Sequence, residues 1–177
     1  PVLFSEIYHG ETHDARLEQP GWSTPGFDDS GWAPAWAAPV PPCALHLQES
    51  PPIRAVMTRA AERITRVPGG DHVIDFGQNF AGWCRIHVRG EAGRTVTLRF
   101  AELLNDDGSV DMRNLRAARC TDRYTLRGAA DGETWEPRFT YHGFRYVQVS
   151  GWPGDLCVGD IEGNYRRHRL LTELLQD

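Results

Sequence analysis

Alternation of apolar and polar side chains is the strongest signal along the chain. In Cys84-Arg85-Ile86-His87-Val88-Arg89 every second residue is apolar, and Val96-Thr97-Leu98-Arg99-Phe100 repeats the pattern. A period of two is what a strand with one buried face requires. Gly90-Glu91-Ala92-Gly93 between the two runs predicts a hairpin. Arg123-Tyr124-Thr125-Leu126 and Phe144-Arg145-Tyr146-Val147-Gln148-Val149 carry the same alternation, separated by the loop from Gly128 to Gly132 and by Trp135-Glu136-Pro137. Short strands at this turn spacing predict an all-β fold, an antiparallel sandwich or jelly roll. No helical crossover lies between them, which argues against a doubly wound parallel sheet.

The two ends depart from this pattern. Residues 1–42 are turn-rich, with Trp22, Trp32 and Trp36 set among Gly21, Pro25, Gly26 and Pro34, and they end in a Pro-rich connector. Residues 53–67 carry a mixed apolar pattern that Val67-Pro68-Gly69-Gly70 closes with a turn. After Asn164, an N-cap residue type, Leu170, Leu171, Leu174 and Leu175 fall at helical spacing with Arg166, Arg167 and Arg169 on other positions. That spacing predicts one short C-terminal helix.

Composition narrows the class. The chain has 177 residues, 40% hydrophobic and 24% charged, enough for one domain with a packed core or one domain plus part of another. A formal net charge of -5 leaves no electrostatic footprint for nucleic acid or anionic lipid. No apolar run approaches the ~20 residues that span a bilayer. Cys43, Cys84, Cys120 and Cys157 form no C-x-x-C pair and read as buried or incidental thiols.

Candidate chemistry is sparse. Nucleotide-binding glycine loops and a G-x-S-x-G elbow are missing. Glycoside hydrolysis needs two facing carboxylates, one of them raised in pKa; Asp75, Glu102, Glu133 and Glu136 stand near strand ends, but nothing in the sequence sets two of them face to face. Asn105-Asp106-Asp107-Gly108 opens like a calcium loop without the closing glutamate, so it reads as an Asx turn. Glu11 and Asp14, flanking His13, are the better candidates for an oxygen-rich Ca²⁺ site. Of the six tryptophans, Trp83 and Trp32 are assigned to the core. Trp22, Trp36 and Trp152, in Gly- and Pro-rich loops, are the candidates for stacking on a sugar ring.

The run Ile74-Asp75-Phe76-Gly77-Gln78-Asn79-Phe80-Ala81-Gly82-Trp83, followed by Arg99-Phe100-Ala101-Glu102-Leu103-Leu104 and Asp107-Gly108, closely resembles bacterial α-L-rhamnosidases. Asn114-Leu115-Arg116-Ala117-Ala118, Thr121-Asp122-Arg123-Tyr124, Trp135-Glu136-Pro137-Arg138-Phe139-Thr140 and Tyr141-His142-Gly143-Phe144-Arg145-Tyr146 follow in the family's order. The resemblance implies the concanavalin-like β-sandwich that precedes an (α/α)6 catalytic barrel. Upstream, Gly10-Glu11-Thr12-His13-Asp14-Ala15-Arg16 and Pro25-Gly26-Phe27-Asp28-Asp29-Ser30-Gly31-Trp32 look like the end of the family's amino-terminal jelly roll, although His13 stands where the family has Tyr.

The implied organisation is thus a jelly-roll end with connector over 1–42, a β-sandwich over 43–163, and a helix or divergent tail over 164–177. The implied parent activity is inverting hydrolysis of terminal α-L-rhamnose by two carboxylates on the barrel, which this sequence does not contain. The chain itself is then expected to be a catalytically inert module that needs no cofactor and has the barrel as its partner. Two alternatives stay open: a module binding L-rhamnose-containing glycans, with Ca²⁺ at Glu11 and Asp14, and a free-standing interaction protein that reuses the fold. Apolar surface exposed by truncation would favour a homodimer. Asp75, Gly77, Gln78, Asn79, Glu102 and Arg145 are expected to be structural. The glycine and two amides would form a bend with the amides bonding backbone, and Arg145, on the face of Val147 and Val149, would pair with a carboxylate such as Glu102.

Overall fold

The alternating runs become strands in the computed structural model, which describes residues 1–48 and 54–167. In chain order they are β1 (Val2–Glu6), β2 (Gly10–Asp14), β3 (Arg54–Ala60), β4 (Arg63–Arg66), β5 (His72–Val88), β6 (Thr95–Ala101), β7 (Leu103–Leu104), β8 (Val110–Asp111), β9 (Thr121–Thr125), β10 (Glu133–Trp135), β11 (His142–Ser150) and β12 (Ile161–Arg167). Ten of them share one curled sheet in the order β1-β2-β9-β6-β11-β5-β12-β3, with β4 and β10 also paired to β5. β7 and β8 form a small hairpin around the Asn105–Ser109 turn, where the Asp107 carboxylate accepts the Ser109 N–H. This is the all-β sandwich the alternation indicates.

The curl originates in β5, whose 17 residues belong to both layers. Its first part pairs with β4 and β11, residues 82–86 pair with β12, and residues 86–88 pair with β10. Phe80, Cys84, Ile86 and Val88 of β5 point inward, as do Val96, Leu98 and Phe100 of β6. At the centre Phe76 meets Phe80 and Phe144 edge to face, as Phe100 does Phe144, and the Phe80 and Phe144 rings are tilted with centroids 4.5 Å apart. Such pairs add to the area term that drives the core together.

Four expectations are corrected. Residues 90–93 do not close a hairpin: β11 lies between β5 and β6, so that loop crosses from one part of the sheet to another. Asn164 is not an N-cap; it is a buried residue in mid-strand, because β12 continues to Arg167 between β5 and β3. The leucines of the expected helix lie outside the described residues. Trp32 is half-exposed in the coil after β2, with its indole N–H donated to Gln19, rather than in the core. Trp83 occupies an outward position of β5, since its neighbours Gly82 and Cys84 take the inward ones.

The amino-terminal strands are joined to the sandwich by hydrogen bonds. β2 pairs with β9, the one parallel pairing among the described strands. From Gln19 to Gln48 the chain has no regular strand or helix and its side chains are almost all exposed.

Candidate functional site

The family-like motif converges on the bend of β5. Gly77 sits at φ +75°, a left-handed value that selects glycine, with the movable Glu62 carboxyl group over it. Asp75 stabilises the bend: its carboxylate accepts the Gly77 N–H at 2.7 Å and the Arg145 guanidinium at 2.8 and 3.1 Å. The Arg145 hydrogen bond holds Asp75 below the usual carboxylate range in spite of its burial, helped by Gly77 and Arg63. Arg145 therefore pairs with Asp75, not with Glu102 as the alternation suggests. A bulge between Phe144 and Tyr146 shifts the parity of β11, so that Phe144, Val147 and Val149 face the core while Arg145 turns away from it.

Beyond the bend, the motif forms an exposed polar rim. Gln78 accepts from Arg59 at 2.7 Å, and Glu102 accepts from Asn79 at 2.8 Å and Asn114 at 3.3 Å. The amides thus bond side chains, while the backbone partner in the motif is Asp75. The structure brings Asp75, Gly77 and Arg145 together in one cluster, and Asn79 and Glu102 in a second.

A separate network covers the outer face of β5. Glu136 accepts the Trp83 indole N–H at 2.6 Å, Asn164 at 2.9 Å and Arg85 at 2.9 Å, and Arg85 continues to Glu162 at 3.0 Å. Against it lies a cleft of about 320 Å³ lined by Ile7, Trp83 and residues 137–141, with Phe139 and Tyr141 in its aromatic wall. A second cleft of about 310 Å³, lined by Arg66, Asp71, His72, Arg94 and Trp152 among others, is polar. Sequence reading missed the first cleft because Trp83 looked inward-facing; the buried Gly82 and Cys84 on either side were the available signal.

The remaining candidates separate. Trp36 is 82% exposed and Trp22 is also exposed, both in the coil after β2, whereas Trp152 is 8% exposed and packs in the core. Trp152 offers little ring surface for stacking, since its loop carries it inward where Arg94 binds its carbonyl. Glu11 and Asp14 do not share a site. Glu11 is fully buried and accepts the Arg138 and Phe139 N–H groups and the Ser5 hydroxyl. Asp14 forms a forked pair with Arg16, whose hydrogen bonds depress its pKa to about 2. Among the described residues no group of three His, Cys, Asp or Glu is arranged to hold a metal ion.

Three further carboxylates are also committed. Glu133 is buried, where desolvation favours its neutral form, yet the N–H groups of Arg127, Gly128 and Ala129 and the Tyr124 hydroxyl more than offset this and keep it ionised. Glu136 behaves likewise, with burial outweighed by Trp83 and Arg85. Deeper in, Asp122 and His142 form a fully buried pair at 3.0 Å, and the Asp122 oxygen also accepts the Glu11 N–H at 2.9 Å.

Sandwich, bend and rim define a concanavalin-like β-sandwich domain. The profile of the bacterial α-L-rhamnosidase concanavalin-like domain matches residues 65–165, and that of the α-L-rhamnosidase N-terminal domain matches residues 1–57. The chain belongs to the bacterial α-L-rhamnosidase family. It is 44% identical over 164 residues to an α-L-rhamnosidase of Streptomyces avermitilis, covering 92% of this chain and 16% of that protein. An α-L-rhamnosidase of Formosa agariphila is 38% identical over 154 residues, covering 86% of this chain and 16% of the relative. The crystal structure of the Streptomyces avermitilis enzyme complexed with L-rhamnose superposes with a TM-score of 0.91 at 43% identity, covering 96% of this chain and 16% of that one. The Aspergillus terreus α-L-rhamnosidase gives 0.88 at 40% identity, covering 95% and 20%. The chain spans about a sixth of the length of the curated relatives it matches.

Proposed function

We propose that this chain is a non-catalytic β-sandwich module of an α-L-rhamnosidase, whose parent hydrolyses terminal α-L-rhamnose and whose partner is the remainder of that polypeptide. The observation that carries the reading is the state of the carboxylates. A glycosidase general acid needs a raised pKa and an open partner carboxylate. Asp71, Asp75, Glu133 and Glu136 are all lowered instead, by hydrogen bonds that outweigh burial where burial opposes them. They are fixed as ionised braces of the scaffold.

The face offered to the rest of the enzyme is the one where β1 and residues 137–141 meet. Ile7 and Phe139 are exposed there and line one cleft, beside the edge strand β1 that the Thr140 hydroxyl ties to the neighbouring loop through the Glu6 carbonyl. Exposed apolar side chains beside a sheet edge are the mark of a covered surface. Incubating the purified chain with an aryl α-L-rhamnoside tests the reading. No release of phenol above the blank is expected, and turnover that follows the protein through purification overturns it.

The aromatic cleft at Trp83, Phe139 and Tyr141 favours a second reading, a module that engages L-rhamnose-containing glycans. Calorimetric titration with L-rhamnose, with and without calcium, separates the two: saturable heat supports sugar binding, and silence leaves the scaffold role.

A further inference from the structure

The β1–β2 hairpin meets the sandwich as a docked ligand would. β2 lies parallel to β9, with Thr12, His13 and Asp14 opposite Arg123, Tyr124 and Thr125. Parallel strands cannot be joined by a tight turn, so no local signal in the chain brings these two together. The contacts are specific. Cys120 and Thr121 donate their N–H groups to the carbonyls of Tyr8 and His9 at 3.0 and 3.1 Å. Glu11 is fully buried: its N–H donates to Asp122 at 2.9 Å, and its carboxylate accepts the N–H groups of Arg138 and Phe139 at 3.2 and 3.1 Å. Gly10 passes so close that a Cβ would lie 2.2 Å from the Thr121 carbonyl oxygen, at a φ of +100° that itself favours glycine. The His13 ring stacks on Tyr124 with centroids 5.6 Å apart.

The connection from this hairpin to the rest of the chain is of the opposite kind. Residues 19–47 are exposed except for Phe27, and their side chains turn to one another, as Trp32 does to Gln19 and Phe27 to Trp32. Residues 19–48 reach roughly 100 Å when extended, so the tether does not dictate where the hairpin sits. A two-stranded hairpin is marginal in water by itself, and its order comes from the site it fills. Withdrawn, it would leave β9 an open edge and the N–H groups of residues 120, 121, 138 and 139 without these acceptors.

We propose that the β9 edge is a strand-acceptor site and that residues 1–18 are its separable ligand, held by contact rather than by the tether and exchangeable for the same hairpin supplied in trans. Recognition is by strand addition. Backbone pairing along β9 gives the affinity. Gly10 and Glu11 give the selectivity, because a side chain at position 10 collides with Thr121 and the carboxylate at position 11 answers two buried N–H groups.

The test cuts the folded chain and asks whether its parts stay together. A site-specific protease sequence is inserted between Ala37 and Ala38, in the exposed coil where an insertion is tolerated. After cleavage at about 1 μM the two pieces are expected to leave a gel-filtration column as one particle, to separate in denaturant, and to show an unfolding midpoint that now depends on concentration. A labelled synthetic peptide of residues 1–18, in excess, should replace the cut segment and migrate with the sandwich. The same peptide carrying Gly10→Ala or Glu11→Gln should do so at least about tenfold more weakly. Separation of the cut pieces in native buffer overturns the proposal. So does exclusion of the 1–18 peptide, displacement of the segment by a peptide of residues 19–37, or binding of the Gly10→Ala peptide as tight as that of its parent. The substitutions are carried on the peptide, so the protein never has to fold with them.

Discussion

Asp122 takes an inward position of β9 for the same reason Tyr124 and Leu126 do: all three share one face of the strand. An isolated carboxylate there would be untenable, and His142 is its answer. Burial pushes the imidazole pKa down, but the Asp122 hydrogen bond and the Cys120 sulfur outweigh it and hold it at about 9. Cys84 on β5 feels the same Asp122 charge, which with its burial raises its thiol well above the ordinary range. Because the folded value of His142 lies above the ordinary ~6.5, its contribution to stability is complete below that pH and is lost as pH rises through about 9. Urea midpoints are therefore expected to fall between about pH 6.5 and 9, and Asp122→Asn should flatten that slope while costing roughly 3 kcal/mol at neutral pH. Asp75 has the opposite sign. Its pKa is lowered, so its contribution stands at neutral pH and disappears as pH falls through the depressed value; Asp75→Asn should destabilise the fold at pH 7 and be indistinguishable from the parent chain in strong acid. Neither pair was legible in the sequence, because an alternation rule scores Asp122 as polar on an apolar face without saying what will meet it. The clue was that Asp122, Tyr124 and Leu126 share one parity.

The strands show how far a local pattern reaches. The alternations in residues 84–89 and 96–100 identify the inward faces of β5 and β6 correctly, since the pleat is a property of each strand alone. Pairing is not local: the turn at 90–93 looks like a hairpin, yet β11, some fifty residues downstream, takes the place between the two strands. The bulge in β11 likewise changes which side Arg145 faces, and one inserted residue leaves no periodic trace. β12 was hidden for a related reason. Its inner residue Gly163 has no side chain to score, and Asn164 satisfies its amide through Glu136 and Thr58. The close approach of β5 to β12 depends on Gly82, where a Cβ would lie 2.0 Å from the Asn164 carbonyl oxygen. Gly82→Ala is expected to cost at least about 2 kcal/mol, because backbone on both sides has to move. Phe144→Ala, which empties the centre of the aromatic cluster, should cost about 3–5 kcal/mol. Chemical denaturation read by near-ultraviolet circular dichroism checks both, and a cost under about 1 kcal/mol for either would refute the packing described.

At the scale of the molecule, the buried apolar residues and some of the exposed ones have different purposes. The core set closes the sandwich, and an exposed set that includes Ile7 and Phe139 lines the cleft beside the edge strand β1. Folding this domain draws little on Phe139, which is 67% exposed, since the network beneath it is carried by Glu11, through backbone N–H groups. A surface that contributes little to its own fold yet costs solubility is consistent with contact elsewhere, which is why it is assigned to the remainder of the rhamnosidase. The consequence is separable from stability. In the isolated chain, this face is expected to drive self-association at micromolar concentration, seen as a concentration-dependent rise in sedimentation coefficient. Phe139→Glu should return the chain to a monomer while shifting its unfolding free energy by less than about 0.5 kcal/mol, as for an exposed position. If instead the variant lost several times that amount, Phe139 would belong to the core's account, and the division of the apolar residues into a folding set and a docking set would fail.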